Sequence, residues 1–474
     1  MFVYGAQMIT SQSNRSRVKA EKKAPPGPPG HPLWGNLFEF RRNQLDFVIR
    51  MSREYGGVVH IGNLFSNDFI ITDPAYAQRI LIDNKENYTN QTFEYNGAER
   101  LFGHSLFLLE GSSWGRRRRL LQAAFQQARD SRLSAVVQHH AATLLERWDG
   151  ATRQSEPLDI EAELRRFTLV VAGEYFLGVD LSATIDPLAQ IFSTVNERGD
   201  LAQNAISLGL PFVPTRANRE YRAAIRELDQ FMYGVIAKRR RELAHAALPV
   251  DQRNDLLTQL ILARDEQGAA LTDTELRDEC VTFLFDGSET TSNALAWLWW
   301  LLGSHPPAMQ KLQDELQQVL RGRAPDMADL PQLSYTRMCY EEALRLYPPS
   351  HLMSRRARHE DELGGYCIPA KSNLVVNIYG MHRRPDIWPE PDEFQPERFE
   401  SRRISGRHKL AFLPFGAGPR MCIGYQFSLI EAQLITATLA QRFHARPVAG
   451  QLVAADALIT LRPHTGFLMQ IQRI

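Results

Sequence analysis

The run Phe415-Gly416-Ala417-Gly418-Pro419-Arg420-Met421-Cys422-Ile423-Gly424 restricts this chain more than any other stretch. Apolar residues then recur at helical spacing through Phe427, Leu429, Ile430, Leu434, Ile435 and Leu439, which predicts a helix starting just after the cysteine. Cys422 therefore stands at a helix N-terminus, where free N–H groups and the helix dipole favour a thiolate. Gly416, Gly418 and Gly424 lack a Cβ, so the backbone can bend tightly and a flat ligand can approach it closely. A thiolate presented in that way suits iron.

A second stretch breaks the rules of the element that carries it. Thr272-Asp273-Thr274-Glu275 is a capping box, and the residues after it run without proline to Gly303-Ser304-His305-Pro306. About thirty residues at roughly 1.5 Å each give a helix on the order of 45 Å long. Leu284, Phe285, Leu295, Trp297, Leu298, Trp299 and Trp300 make it apolar on most sides, so it should be buried. Yet its middle reads Asp286-Gly287-Ser288-Glu289-Thr290-Thr291, and Gly287 costs about 1 kcal/mol relative to alanine there. Such exceptions belong mainly to functional sites. A threonine hydroxyl bonded to the carbonyl four residues back loosens a helix and leaves a niche beside it.

Composition excludes several classes. A net charge of +1 gives no reason to expect nucleic acid. Cys280, Cys339, Cys367 and Cys422 contain no C-x-x-C pair, which argues against zinc and a disulfide scaffold and fits a reducing cytoplasm. Residues 1–24 begin with only four apolar residues, too few for a transmembrane helix, and are expected to be a mobile tail. Val58–Ile61 and Phe69–Thr72 read as short strands, with Pro74 opening the next helix. From Thr89 to Gly111 there is little periodicity, and Phe93, Tyr95, Leu101, Phe102, Phe107 and Leu108 are candidates to line a pocket or to be ordinary core. Between about Ala135 and Ala247 the chain reads as amphipathic helices broken at Gly178, Pro187, Gly209–Pro211 and Pro214.

The spacing F-G-x-G-x-R-x-C-x-G resembles the heme-binding loop of the cytochrome P450 family at every fixed position. Three further motifs join it: Trp114 and Arg118 as W-x-x-x-R, Glu342 and Arg345 as E-x-x-R, and Pro396-Glu397-Arg398-Phe399 as P-E-R-F. The resemblance runs from about residue 25 to the end. It implies one heme domain over 25–474, mostly α with small β-sheets, a long central helix lying over the heme. Cys422 would be the iron ligand. Trp114, Arg118, Arg355 and Arg420 would hold the propionates of heme b, with Phe415, Gly416 and Gly424 shaping the loop, while Arg356 and Arg358 compete with Arg355 for its role. Arg116, Arg117 and Arg119 are read as a solvated basic face that steers an electron donor. Glu342, Arg345 and Arg398 would form a buried triad beneath the heme loop.

Asp286–Thr291 resembles the family's A/G-G-x-D/E-T-T segment apart from its first residue. By that likeness Thr290 steadies bound oxygen, Glu289 relays protons and Gly287 makes room. Three roles stay open for Asp286: an ester to a heme methyl, an anchor for a substrate hydroxyl or amine, or a hydrogen-bonded carboxylate in the wall. Pro25–Gly30 is similar to the hinge that follows the anchor of microsomal members, but no anchor precedes it, so a soluble, cytoplasmic enzyme without an integral membrane anchor is expected. The loop near Leu208–Thr215 would be the mobile entrance of the substrate channel. The resemblance thus implies a monooxygenase that inserts one atom of O2 into a lipophilic fatty acid, terpenoid or polyketide-type molecule. Its electrons would come from a ferredoxin with its reductase or from a flavin reductase. A peroxide-driven peroxygenase and a non-catalytic heme sensor are the rivals.

Overall fold

The structure, a computed structural model, describes residues 23–62, 66–127, 131–206, 215–245 and 254–474. The expected mobile tail, apart from its last two residues, and positions 208–214 of the expected entrance loop lie outside the described residues.

A helix of 32 residues, Asp273–Ser304, organises the rest. The capping box forms: the Thr272 hydroxyl accepts the Glu275 N–H at 3.2 Å, and the Glu275 carboxylate accepts the Thr272 N–H at 2.9 Å. At the far end Pro306 opens a new helix, so the first cannot continue. Nearly all of its side chains are buried, because helices Ile160–Ala172, Arg216–Ala244 and Ser334–Leu346 and strand Phe443–Pro447 pack around it. Aromatic rings fix its second half: Trp297 stacks on Tyr347 at 3.5 Å, and Trp299 meets Trp148 edge-on at 5.0 Å. The fold is helix-rich with small sheets, as the resemblance implied.

A five-stranded sheet flanks the helices, its strands in the spatial order Val58–His60, Asp68–Ile71, Asn373–Asn377, Leu352–Ala357, Tyr88–Thr89. Val59 pairs with Ile70, Ile70 runs parallel to Val375, and Arg355 faces Leu374. A second, three-stranded sheet and two hairpins complete the β structure. Among the described residues no helix is long and apolar enough to cross a membrane.

Two expectations are corrected here. The stretch read as aperiodic contains a ten-residue helix, Phe93–Phe102, which ends at Gly103 with φ +53°. Leu101 and Phe102 are core, with Phe102 against Phe285, while Phe107 keeps exposed surface. Pro187 breaks nothing: it lies in the first turn of helix Ile185–Ile206, where a missing N–H costs no bond.

Candidate functional site

The cysteine loop closes on itself, the Phe415 carbonyl accepting the Cys422 N–H at 2.9 Å. Gly416 and Gly418 have φ of +69° and +70°, and a Cβ on Gly418 would stand 2.3 Å from the Leu81 carbonyl oxygen. No other residue fits that position. Gly424 is the N-cap of helix Tyr425–Ala440, which puts Cys422 just ahead of the helix, as the periodicity predicts. Its thiol keeps accessible surface deep inside the protein, and so do Asp286, Gly287 and Thr290 on an otherwise buried stretch of the central helix. Asp286 lies close enough to Cys422 to act on its charge, which brings this part of the central helix and the cysteine loop to one place.

The charge state of Cys422 differs from the expectation. Burial pushes its pKa up to about 11, with Asp286 adding to the rise, while the Gly424 N–H and Arg118 pull it down. Desolvation outweighs the helix terminus, so the bare thiol stays protonated at neutral pH. A bound cation removes that proton.

Arginines gather around the thiol. Arg420 lies over the Trp114 ring at 4.8 Å and donates to the Leu109 carbonyl at 2.6 Å. Burial, and then Arg355, lowers its pKa to about 10. Arg355 is buried, donating to the Ser354 carbonyl at 2.8 Å and to the Tyr95 hydroxyl at 3.4 Å. Its competitors turn away: Arg356 is exposed, and Arg358 donates to Glu110 at 3.0 Å. Arg118 is part-buried beside Cys422. Among the described residues neither Arg118 nor Arg355 has a carboxylate at ion-pair distance. Arg420 stands 3.8 Å from Glu110, the carboxylate that Arg358 also holds. Two buried or part-buried guanidiniums without an anion, with a third only loosely paired, fit a flat group that carries a metal ion and two carboxylates. Heme meets that description.

Across the space, the Thr290 hydroxyl donates to the Asp286 carbonyl at 2.6 Å, the back-bond predicted from the sequence. The Asp286 carboxyl has no hydrogen bond among the described residues, and burial alone raises its pKa to about 7. Glu289 turns toward the roof. Its Oε1 accepts from Asn196 at 2.8 Å and Asn293 at 3.4 Å, and both amides also donate to the Thr460 hydroxyl at 3.1 Å. Asn293 is one helical turn from Glu289 and could have been found from sequence, whereas nothing local marks Asn196 or Thr460. The room left by Gly287 goes to the Phe176 ring, 2.6 Å from where a Cβ would be, and not to an open niche.

Arg117 also departs from expectation. It is buried rather than solvated, and it pairs with Glu275 and, at 2.7 Å, with Glu279 of the central helix. Glu279 also accepts the Leu106 N–H at 2.9 Å, which ties the pocket loop to the same helix. Beneath the cysteine loop, Arg345 grips Glu342 through two hydrogen bonds of 2.7 and 2.8 Å and donates to the carbonyls of His382, Pro391 and Glu393. Arg398 Nε lies 3.3 Å from the same carboxylate, and its Nη2 donates to the Glu390 carbonyl. The three residues singled out as a triad do meet.

A family model described as cytochrome P450 matches residues 25–468. The chain is 33% identical to a cyclooctat-9-en-7-ol 5-monooxygenase of Streptomyces melanosporofaciens, over 91% of this chain and 93% of that one. It is 31% identical to a cyclooctatin synthase of the same organism (89% and 90%) and 30% identical to a human ultra-long-chain fatty acid omega-hydroxylase (85% and 79%). A crystal structure of a cytochrome P450DA heme domain superposes with a TM-score of 0.84, covering 96% of this chain and 98% of that one at 24% identity.

Proposed function

The chain belongs to the cytochrome P450 family as a monooxygenase, and from that premise we propose that it hydroxylates a neutral cyclic terpenoid that already carries a hydroxyl group. Heme b would be held by Cys422 at its iron and by Arg118, Arg355 and Arg420 at its carboxylates, and it would supply the activation of O2 and the insertion of one oxygen atom. The residues around it control water and protons. Thr290 commits its own hydrogen to the Asp286 carbonyl, so the lone pairs of Oγ1 are left to accept a proton donor at the reacting oxygen. Glu289 is anchored through Oε1, which leaves Oε2 to take up a proton and pass it inward.

The observation that carries the substrate reading is the Asp286 carboxyl: desolvated, without a hydrogen-bond partner among the described residues, and near enough to Cys422 to act on its charge. A hydroxyl satisfies it whether it is neutral or ionised, since the hydroxyl both donates and accepts. The alternative anchor, a cation for a fatty-acid carboxylate, is missing from the pocket segment, because Arg100 stands on the exposed side. Two relatives named for cyclooctat-type compounds support the same class. The relative named as a fatty acid hydroxylase favours the second reading, ω-hydroxylation of a long-chain acid.

A titration of the ferric protein with cyclic terpenoid alcohols, their deoxy analogues and long-chain fatty acids separates the two. The expected result is displacement of iron-bound water by the alcohols at the lowest concentration, with the preference over the deoxy analogue lost in Asp286→Ala. Tighter binding of fatty acids, or an unchanged preference in the variant, contradicts the reading. Heme released by acid–acetone extraction eliminates an ester to Asp286. Electrons come from a ferredoxin with its reductase or from a flavin reductase. Turnover that needs such a donor and NAD(P)H opposes the peroxygenase alternative, and turnover itself opposes the sensor.

A further inference from the structure

A nitrogen-rich cluster lies outside the heme site. His139 and His140 sit on helix Ser131–Gln154, and Glu174 on the π turn Gly173–Leu177. One ligand atom from each lies within 4.8 Å of the others, and His140 Nε2 is 2.8 Å from Glu174 Oε2. The two imidazole rings are 4.9 Å apart. His140 is buried and fixed, Glu174 is half-buried, and His139 is exposed and free to rotate. Arg132 donates from Nη2 to the backbone carbonyl of Glu174 at 2.8 Å rather than to its carboxylate, on which it acts only through space. Asp180, which caps Ser182 at 2.9 Å, is within electrostatic range of both rings.

We propose that His139, His140 and Glu174 form a site for one divalent zinc-type ion, and that its occupancy restrains the π turn against helix Ser131–Gln154. Two imidazoles and a carboxylate are a ligand set that zinc takes, with a water completing the tetrahedron. Bond lengths of about 2.0–2.2 Å put tetrahedral ligands roughly 3.3–3.5 Å apart. The His140–Glu174 pair therefore opens slightly and His139 swings inward, a rotation its exposure permits. The turn matters because Phe176, two residues beyond Glu174, fills the space at Gly287 of the central helix and lies tilted against Phe427, five residues past Cys422, with ring centroids 4.8 Å apart. A metal ion at Glu174 thus acts on a segment wedged between the two walls of the heme site. Single-turn π segments are frequent at functional sites.

The test titrates tag-free holoenzyme with zinc chloride by calorimetry, with metal content after dialysis as a check, for wild type, His139→Ala and Glu174→Gln. One equivalent is expected in wild type, with affinity lower by about tenfold or more in each variant at unchanged heme content. His139 is exposed, so its replacement leaves the core intact and keeps the comparison valid. Equal affinity in all three proteins, or no binding in wild type, overturns the site. Zinc is also expected to slow amide exchange at 173–177 in wild type but not in His139→Ala, and binding without that slowing overturns the restraint.

Discussion

Asp286 and Thr290 share one helical turn, and only one of them has a partner. The Thr290 hydroxyl is held by a carbonyl; under the proposed mechanism it steadies proton delivery, so Thr290→Ala is expected to keep heme and substrate binding while consuming NAD(P)H without matching product. Peroxide measured alongside product checks this, and matched stoichiometry in the variant contradicts it. Asp286 makes a prediction about pH. Its folded pKa of about 7 lies above the unfolded carboxylate range, so the neutral acid is the form that folding favours. That contribution is whole below the unfolded pKa and is lost as pH rises through about 7. The melting temperature of Asp286→Asn minus that of wild type should therefore grow between about pH 4 and 7 and level off above, and a constant difference would falsify the burial argument. Sequence reading reached both residues because polar side chains in an apolar helix are a local anomaly. It missed the fate of Arg117, because four consecutive arginines look alike until Glu279, 162 positions away, selects one.

At the scale of elements, packing decides what propensity leaves open. Gly287→Ala gains about 1 kcal/mol of helix propensity. Against that, the new Cβ meets the Phe176 ring, and Phe176 is wedged between Phe283 and Phe427 with no room to retreat. Overpacking of that kind costs about 1–3 kcal/mol, so the net change is destabilising and the heme Soret band should shift with it. Chemical denaturation read at the Soret band and in the far ultraviolet tests this, and a stabilised variant contradicts it. The contact joins residues 111 apart, so no local pattern announces it. The capping box at Thr272 and the helix after Cys422 were legible for the opposite reason, since the one is written in four consecutive residues and the other in the apolar spacing of a single segment, Phe427 to Leu439. Helix Phe93–Phe102 was not, because Gly97 and mixed aromatics blur its period and only burial against Phe285 shows which face is inward.

For the whole molecule, a buried charge centre away from the thiol, formed by Glu342, Arg345 and Arg398, is proposed to support the heme loop. Arg345 and Glu342 are fully buried, and Arg345 also holds three carbonyls from the segment leading to Arg398. Arg345→Ala strands the Glu342 carboxylate and is expected to cost about 3–5 kcal/mol, with heme lost at a lower temperature than in wild type. Retention of wild-type melting and heme content would contradict that role. Family membership, the helical architecture and the monooxygenase class were all carried by short motifs in the sequence. The charge state of the thiol was not, because it depends on desolvation by the assembled protein rather than on the helix beyond it. The bond from that sulfur to iron remains the central claim, and the carbonyl spectrum of the reduced protein tests it most directly. Wild type should absorb near 450 nm as thiolate ligation requires, and Cys422→Ser should lose that band. A variant that keeps both its heme and the 450 nm band would show that another group holds the iron.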